Sequence, residues 1–186
     1  MFRRLLRLLP ALVLLCLAVV ALSGPRRAAA EGQRAHLYPA DRAVVKQIHR
    51  FRHETWHWQG LMGVRRTPAS RAADTDPSHS FKVWVRNLWM HRALRAQRKA
   101  ARPPHRAGWL CIHRYEGAWA DPSPPYYGGL QMDLGFQRAY GHDLLRHKGT
   151  ANHWTPLEQM WVAERAHRSG RGYYPWPNTA RYCGLI

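Results

Sequence analysis

The sequence predicts a mainly α-helical protein: a small α+β domain of packed helices with one short hairpin and one candidate disulfide, preceded by a basic helical region. Three observations carry this prediction. Apolar residues recur at spacings of one, three and four along several segments, the signature of helices with one buried face. A single stretch, 119–131, breaks that pattern with three prolines, two tyrosines and the pair Gly128-Gly129, and suits a tight loop or short hairpin. Of the three cysteines, Cys111 and Cys183 remain once an N-terminal leader carrying Cys16 is removed, and in an exported chain such an even pair is a disulfide candidate, with two unrelated free thiols the alternative.

The reading of export comes from the N-terminus. Arg3, Arg4 and Arg7 precede an apolar run over 8–22 that only Pro10 interrupts. Ala28-Ala29-Ala30 before Glu31 fits a small-residue cleavage site, and Ala21-Leu22-Ser23 offers an earlier one. Residues 1–30 are therefore expected to be a signal peptide. A retained anchor is the alternative, but the run falls short of the roughly 20 residues that a spanning helix needs. The segment Leu14-Leu15-Cys16-Leu17 lacks the small residues that precede a lipidated cysteine. No stable membrane insertion is expected once the leader is removed.

Cleavage after Ala30 leaves 24 basic and 11 acidic residues, a net charge of +13 against +18 for the whole chain. That charge is uneven. Residues 31–104 hold 15 Lys or Arg and 5 Asp or Glu, whereas 105–186 hold 9 and 6. Arg102-Pro103-Pro104 reads as a stiff linker between a basic helical region, 31–104, and a second domain, 105–186.

In the first region, Val44, Val45, Ile48, Phe51, Thr55, Trp58 and Met62 predict a helix over 41–62. Residues 65–80, with Pro68 and Pro77, read as a loop. Phe81, Trp84, Val85, Leu88, Trp89 and Leu94 predict a second helix over 81–100, whose far end is basic. In the second region, helices are expected over 107–116, 133–141 and 155–169. Thr155 stands as cap of the last, with Pro156 at its first position and Glu158 completing a capping box. The tail, 173–186, reads as irregular and tied back by Cys183.

The ordered motifs between Trp109 and Leu185 carry a resemblance. Cys111 lies five residues before Glu116, Trp119 follows, then Tyr126-Tyr127-Gly128-Gly129-Leu130-Gln131, then the helix Pro156-Leu157-Glu158-Gln159-Met160-Trp161-Val162-Ala163-Glu164-Arg165, then Trp176-Pro177 and a closing Cys183-Gly184-Leu185. This set resembles the transglycosylase-like domain of the resuscitation-promoting-factor family of actinobacteria. The resemblance implies a lysozyme-like fold with a short strand pair and a Cys111–Cys183 disulfide. It also implies a secreted, wall-facing enzyme, in remodelling or resuscitation, that cleaves the glycan strands of peptidoglycan with Glu116 as its acid and no cofactor or metal.

The residue chemistry is consistent with that role. Glycosidic cleavage needs an acid that stays protonated near neutrality, which apolar surroundings favour. Tyr115, Trp119, Tyr126 and Tyr127 are sequence neighbours of Glu116, while His113 and Arg114 act in the opposite sense. Without the resemblance, Glu116 reads as a surface or capping carboxylate. A second carboxylate, usual in such enzymes, has Asp133 and Asp121 as candidates, and Asp133 equally suits a cap for the helix that follows it. Related enzymes work with one Glu because the substrate supplies the nucleophile, so hydrolysis and 1,6-anhydro-forming transglycosylation both stay open. Gln131, Tyr126, Tyr127, Trp119 and Asp133 are the expected substrate contacts, with core packing the alternative for the tyrosines. The chain departs from the family pattern at Glu116-Gly117-Ala118-Trp119, where the loop is shorter and proline-rich, and at Phe136. Those departures motivate a second reading, a wall-binding protein of the same fold without catalysis.

A competing motif stands in the first region. His53-Glu54-Thr55-Trp56-His57 matches the H-E-x-x-H pattern of zinc peptidases, with His49 one turn earlier. A catalytic zinc needs a third protein ligand. The extended pattern would place it at Gly63, and no Glu lies between Glu54 and Glu116. We therefore read solvated histidines first, opportunistic metal binding by His49, His53 and His57 next, and a zinc peptidase as a remote alternative. Basic residues interleaved with Trp also fit nucleic-acid binding loosely, but export argues against that partner. Anionic, phosphate-rich wall polymers suit the charge better.

Overall fold

In the computed structural model, residues 39–186 are described, so the expected leader over 1–30 lies outside them. The described residues are mainly helical, in the order α1 (Pro39–Leu61), α2 (Ala72–Thr75), α3 (His79–Ala100), α4 (Arg106–Glu116), β1 (Tyr126–Tyr127), β2 (Met132–Asp133), α5 (Leu134–Lys148), α6 (Pro156–Ala166) and α7 (Pro177–Tyr182). A 3-10 turn, Ala151–His153, precedes α6, and a wide turn, His167–Arg171, follows it. None of these helices is long and apolar enough to cross a membrane. Two compact units emerge: 39–47 with 70–85, and 48–69 with 86–186. The second unit thus extends across Arg102-Pro103-Pro104 and takes in parts of both long helices.

The first unit is small. Val44, Ala73 and Val85 are buried in it, together with Asp41 and Lys82. Lys82 Nζ donates to Asp41 Oδ2 at 3.0 Å, and the ring of His79 lies 2.6 Å from Oδ1. Hydrogen bonds from His79 and then Lys82 hold the Asp41 carboxyl below its ordinary range. A lysine buried in this way needs such a partner.

The second unit is organised around α6. That helix opens with the capping box the sequence predicts: Glu158 N donates to Thr155 Oγ1 and Thr155 N to Glu158 Oε2. Burial raises the Glu158 carboxyl, but hydrogen bonds from Lys148 and Thr155 outweigh it and the net displacement is downward. Residues 158–164 of α6 are all buried, so the helix is enclosed on every side. Against it pack Trp109, Ile112, Leu130, Met132, Phe136, Trp154 and Trp176 in one apolar cluster. Trp161 instead joins Met62, Ala96 and Ala100 in a second cluster, and its indole donates to Ala100 O at 2.7 Å.

Charged side chains on and after α6 complete the frame. Arg165 donates to Gly60 O, Leu61 O and Tyr140 O, and Arg168 to Met62 O. The bonds to Leu61 O and Met62 O satisfy carbonyls left open at and just past the C-terminus of α1, while Tyr140 O belongs to α5. Glu164 is fully buried and accepts from His105 N and Trp109 Nε1, at 2.7 and 2.8 Å, with the His105 ring 3.1 Å away. The pair β1 and β2 is antiparallel, with Tyr126 opposite Asp133 and Tyr127 opposite Met132. The tail differs from its predicted irregularity. It contains α7, which starts with a proline and is anchored on both sides: Trp176 Nε1 donates to Leu130 O, and Cys183 joins Cys111 in a disulfide with Cα atoms 6.0 Å apart.

Candidate functional site

Glu116 is the last residue of α4, a helix whose buried face is Gly108, Trp109 and Ile112. This places a half-buried carboxyl where the chain turns out of the helix through Gly117. Gly117 has φ 150°, in the region that favours glycine. A Cβ there would lie 3.2 Å from both Asp121 Oδ2 and Gln131 Nε2. The 117–131 loop therefore folds back directly beside the residue that follows Glu116. From α7, Thr179 donates its hydroxyl to Glu116 Oε1 at 2.7 Å. No hydrogen bond from the described residues reaches the other carboxyl oxygen.

Asp121 and Gln131 form the opposite side of this turn. Gln131 Nε2 donates to Asp121 Oδ2 at 2.9 Å and to Gly128 O at 3.0 Å, and Gln131 itself takes a positive φ of 44°. Ser123 N donates to Asp121 Oδ1, and hydrogen bonds from Ser123 and then Gln131 keep the Asp121 carboxyl below its ordinary range. Asp121 is thus an ionised group held in place. The Gln131 amide nitrogen is committed within the loop, which leaves its oxygen as the side-chain atom that can accept from a ligand hydroxyl.

The other expected contacts divide. Asp133 caps α5, accepting from Phe136 N at 2.6 Å, the structural alternative that the sequence left open for it. Tyr126 is exposed, whereas Tyr127 is half-buried and packs against the main apolar cluster. Trp119 is half-buried and stacks on His113, with ring centroids 3.9 Å apart and 24° between planes. Its ring also crowds Gly129, where a Cβ would meet it at 2.8 Å.

Two residues missed by sequence reading hold this region. Gln159, fully buried on α6, accepts from Gly129 N and donates to Trp119 O, Ala151 O and Trp154 O. It thereby ties both ends of the Trp119–Gly129 loop to the central helix. A Cβ on Gly128, which has φ 71°, would lie 2.5 Å from Gln159 Oε1, so glycine is required there on two grounds. Thr179 is the second, and its partner Glu116 is 63 residues away.

The H-E-x-x-H histidines stand apart from this arrangement. His53 and His57 are exposed on α1, edge-on to Trp56 and Trp58 respectively. They line a cleft with Arg66, Arg165, Asp143 and Glu158, and Glu54 is outside that lining. Among the described residues, no group of three or more His, Cys, Asp or Glu side chains is placed to hold a metal ion. Comparison with protein-family models, with curated proteins and with solved structures returns no match to this chain.

Proposed function

We propose that the chain cleaves the glycan strands of peptidoglycan outside the cell, on a lysozyme-like domain, with Glu116 as its single catalytic acid. The observation that carries this reading is the setting of Glu116: a half-buried carboxyl at a helix end, with one oxygen fixed by Thr179 and the other unengaged by the described residues. Beside it the loop presents a fixed carboxylate, Asp121, and the oxygen of Gln131. A glycosidic oxygen placed at the unengaged carboxyl oxygen can take its proton there. The same carboxylate can then withdraw a proton from water, or from a hydroxyl of the substrate itself, in the second half of the reaction. Asp121 acts in this scheme as the anchor of Gln131. Exposed Tyr126 and half-buried Trp119 supply aromatic surface along the strand, and the positive charge of the chain holds it to anionic wall polymers.

The test is release of soluble muropeptides from purified peptidoglycan by the chain, beside Glu116→Gln and Glu54→Gln. Release is expected from the unaltered chain and from Glu54→Gln, and not from Glu116→Gln. Anhydro or reducing ends on the fragments then identify transglycosylation or hydrolysis. No release from walls that the chain binds would overturn catalysis and favour a wall-binding protein.

A further inference from the structure

A second cleft, of about 330 Å³, opens in the larger unit between α1 and the last three turns of α3. Its α3 wall carries Arg92, Arg95 and Lys99. These positions share one helix face and span about 10 Å along the axis at 1.5 Å per residue. Like charges at this spacing repel one another, and no Asp or Glu lines the cleft to relieve them. Arg92 stacks over Trp89 at 4.8 Å, which fixes its guanidinium. Among the described residues, neither Arg95 nor Lys99 makes an ion pair. Other cations of the same unit are already committed: Lys148 to Glu158, Arg146 to Asp143, Arg165 to Leu61 O of α1 and Arg168 to Met62 O just after it.

The facing wall is built rather than incidental. The segment after α1 is fastened back on that helix by three bonds: Gln59 Nε2 to Thr67 Oγ1 at 2.7 Å, Thr67 N to Gln59 Oε1 at 2.8 Å and Trp56 Nε1 to Thr67 O at 2.9 Å. Thr67 lines the cleft. Its oxygen accepts from Gln59, so its hydroxyl proton is the one left to give to a ligand. Met62 and Ala96 lie beneath as an apolar floor, and no aromatic ring lines the cleft.

We propose that this cleft binds a linear chain of phosphate groups, with Arg92, Arg95 and Lys99 each engaging a phosphate oxyanion and Thr67 donating to one of them. A single row of three cations matches an extended anion better than one isolated phosphate. The absence of an aromatic platform from the lining argues against a nucleic-acid strand, whose bases need one. The site would tether the chain to phosphate polymers, and it is independent of the reaction proposed for Glu116.

The experiment is calorimetric titration of tripolyphosphate, inorganic phosphate and a thymidine oligonucleotide of matching charge into the chain at about 0.15 M ionic strength. Two double variants accompany it, Arg95→Gln with Lys99→Gln, and Arg106→Gln with Arg138→Gln. All four residues are exposed and each pair removes the same charge, so equal unfolding midpoints are expected. Tripolyphosphate should bind the unaltered chain at least about tenfold more tightly than inorganic phosphate. The cleft pair should weaken it by about tenfold or more and the control pair by less than about twofold. Equal weakening by both pairs, no binding, or tighter binding of the oligonucleotide would each overturn the proposal. Because cleavage is never read, failure here leaves the Glu116 assignment untouched.

Discussion

Replacing Gln159 by leucine is the sharpest probe of how the site region is held. The two side chains are close in size, so packing around α6 is largely preserved while four hydrogen bonds vanish. Ala151 O keeps a partner, because Trp154 N also donates to it at 3.0 Å. Gly129 N, Trp119 O and Trp154 O lose theirs. Leaving a buried polar group unsatisfied costs about 1–3 kcal/mol, so the buried Gly129 N and Trp154 O, with the part-buried Trp119 O, cost on the order of 5 kcal/mol. Burying a leucine returns about 2 kcal/mol. The expected net destabilisation is about 3 kcal/mol. Eight of the nine tryptophans lie in the larger unit, so tryptophan fluorescence in a urea titration follows that unit. On the proposed glycan-cleaving activity, muropeptide release should also fall under conditions where the variant is folded, because the loop carrying Trp119 and Gln131 loses its anchor. A midpoint shift worth less than about 0.5 kcal/mol, within the range of ordinary surface substitutions, would refute the claim that Gln159 fastens the loop.

Three further outcomes follow from the same structure. On the proposed activity, Thr179→Val should lower the rate of muropeptide release by up to about tenfold, the upper value of one hydrogen bond, and should change its pH profile. Thr179→Ser should restore both, whereas a purely structural role would leave the profile unmoved. Removing the disulfide with Cys183→Ser should destabilise the larger unit by about 4 kcal/mol, the loop-closure value for cysteines 72 residues apart; a loss below about 1 kcal/mol would refute that account. In the first unit, Asp41 has a folded-state pKa below its unfolded one. Its stabilisation is therefore complete above about pH 4 and disappears as pH falls through the lower, folded value. Asp41→Asn should lower the unfolding midpoint at neutral pH, followed by circular dichroism, and should flatten the loss of stability below about pH 4. An unchanged acid limb would show that another carboxylate governs it.

What could be read from the sequence was what acts over one or two turns of chain. The periodic apolar positions predicted the long helices, Thr155 and Glu158 predicted a capping box, and Asp133 stood where a cap was needed. The pair Cys111 and Cys183 was predicted by export and even number, and the two are joined. The misreadings share a cause. α7 has only six residues, too few for a period to show, and is fixed by Trp176 and Cys183 rather than by its own propensity. Gln159 sits inside an apolar helix and Thr179 in a tail without pattern, and each acts through partners as far as 40 and 63 residues away, respectively. Across Pro103 and Pro104, Trp161 reaches Ala100 and Arg165 reaches Leu61, contacts that no local pattern announces.

These long-range bonds explain how the loop after Glu116 and the side chain of Phe136 are held. The loop after Glu116 is short and rich in proline, and its conformation is not carried by local propensity. Gln131 holds Asp121 across the turn, and Gln159 holds Trp119 and Gly129 from below. The loop is thereby kept in register with the helix end that presents Glu116, using an anchor on α6, Gln159, that is itself fully buried. Phe136 finds its place in the same way. It packs on Tyr140 and Trp176 at centroid distances of 4.9 and 5.4 Å, inside the core that seats α7. Since α7 brings Thr179 to Glu116, a bulky apolar residue at 136 supports that contact through packing, and exchanging it for a small polar residue would loosen the hold of Thr179 on the carboxyl.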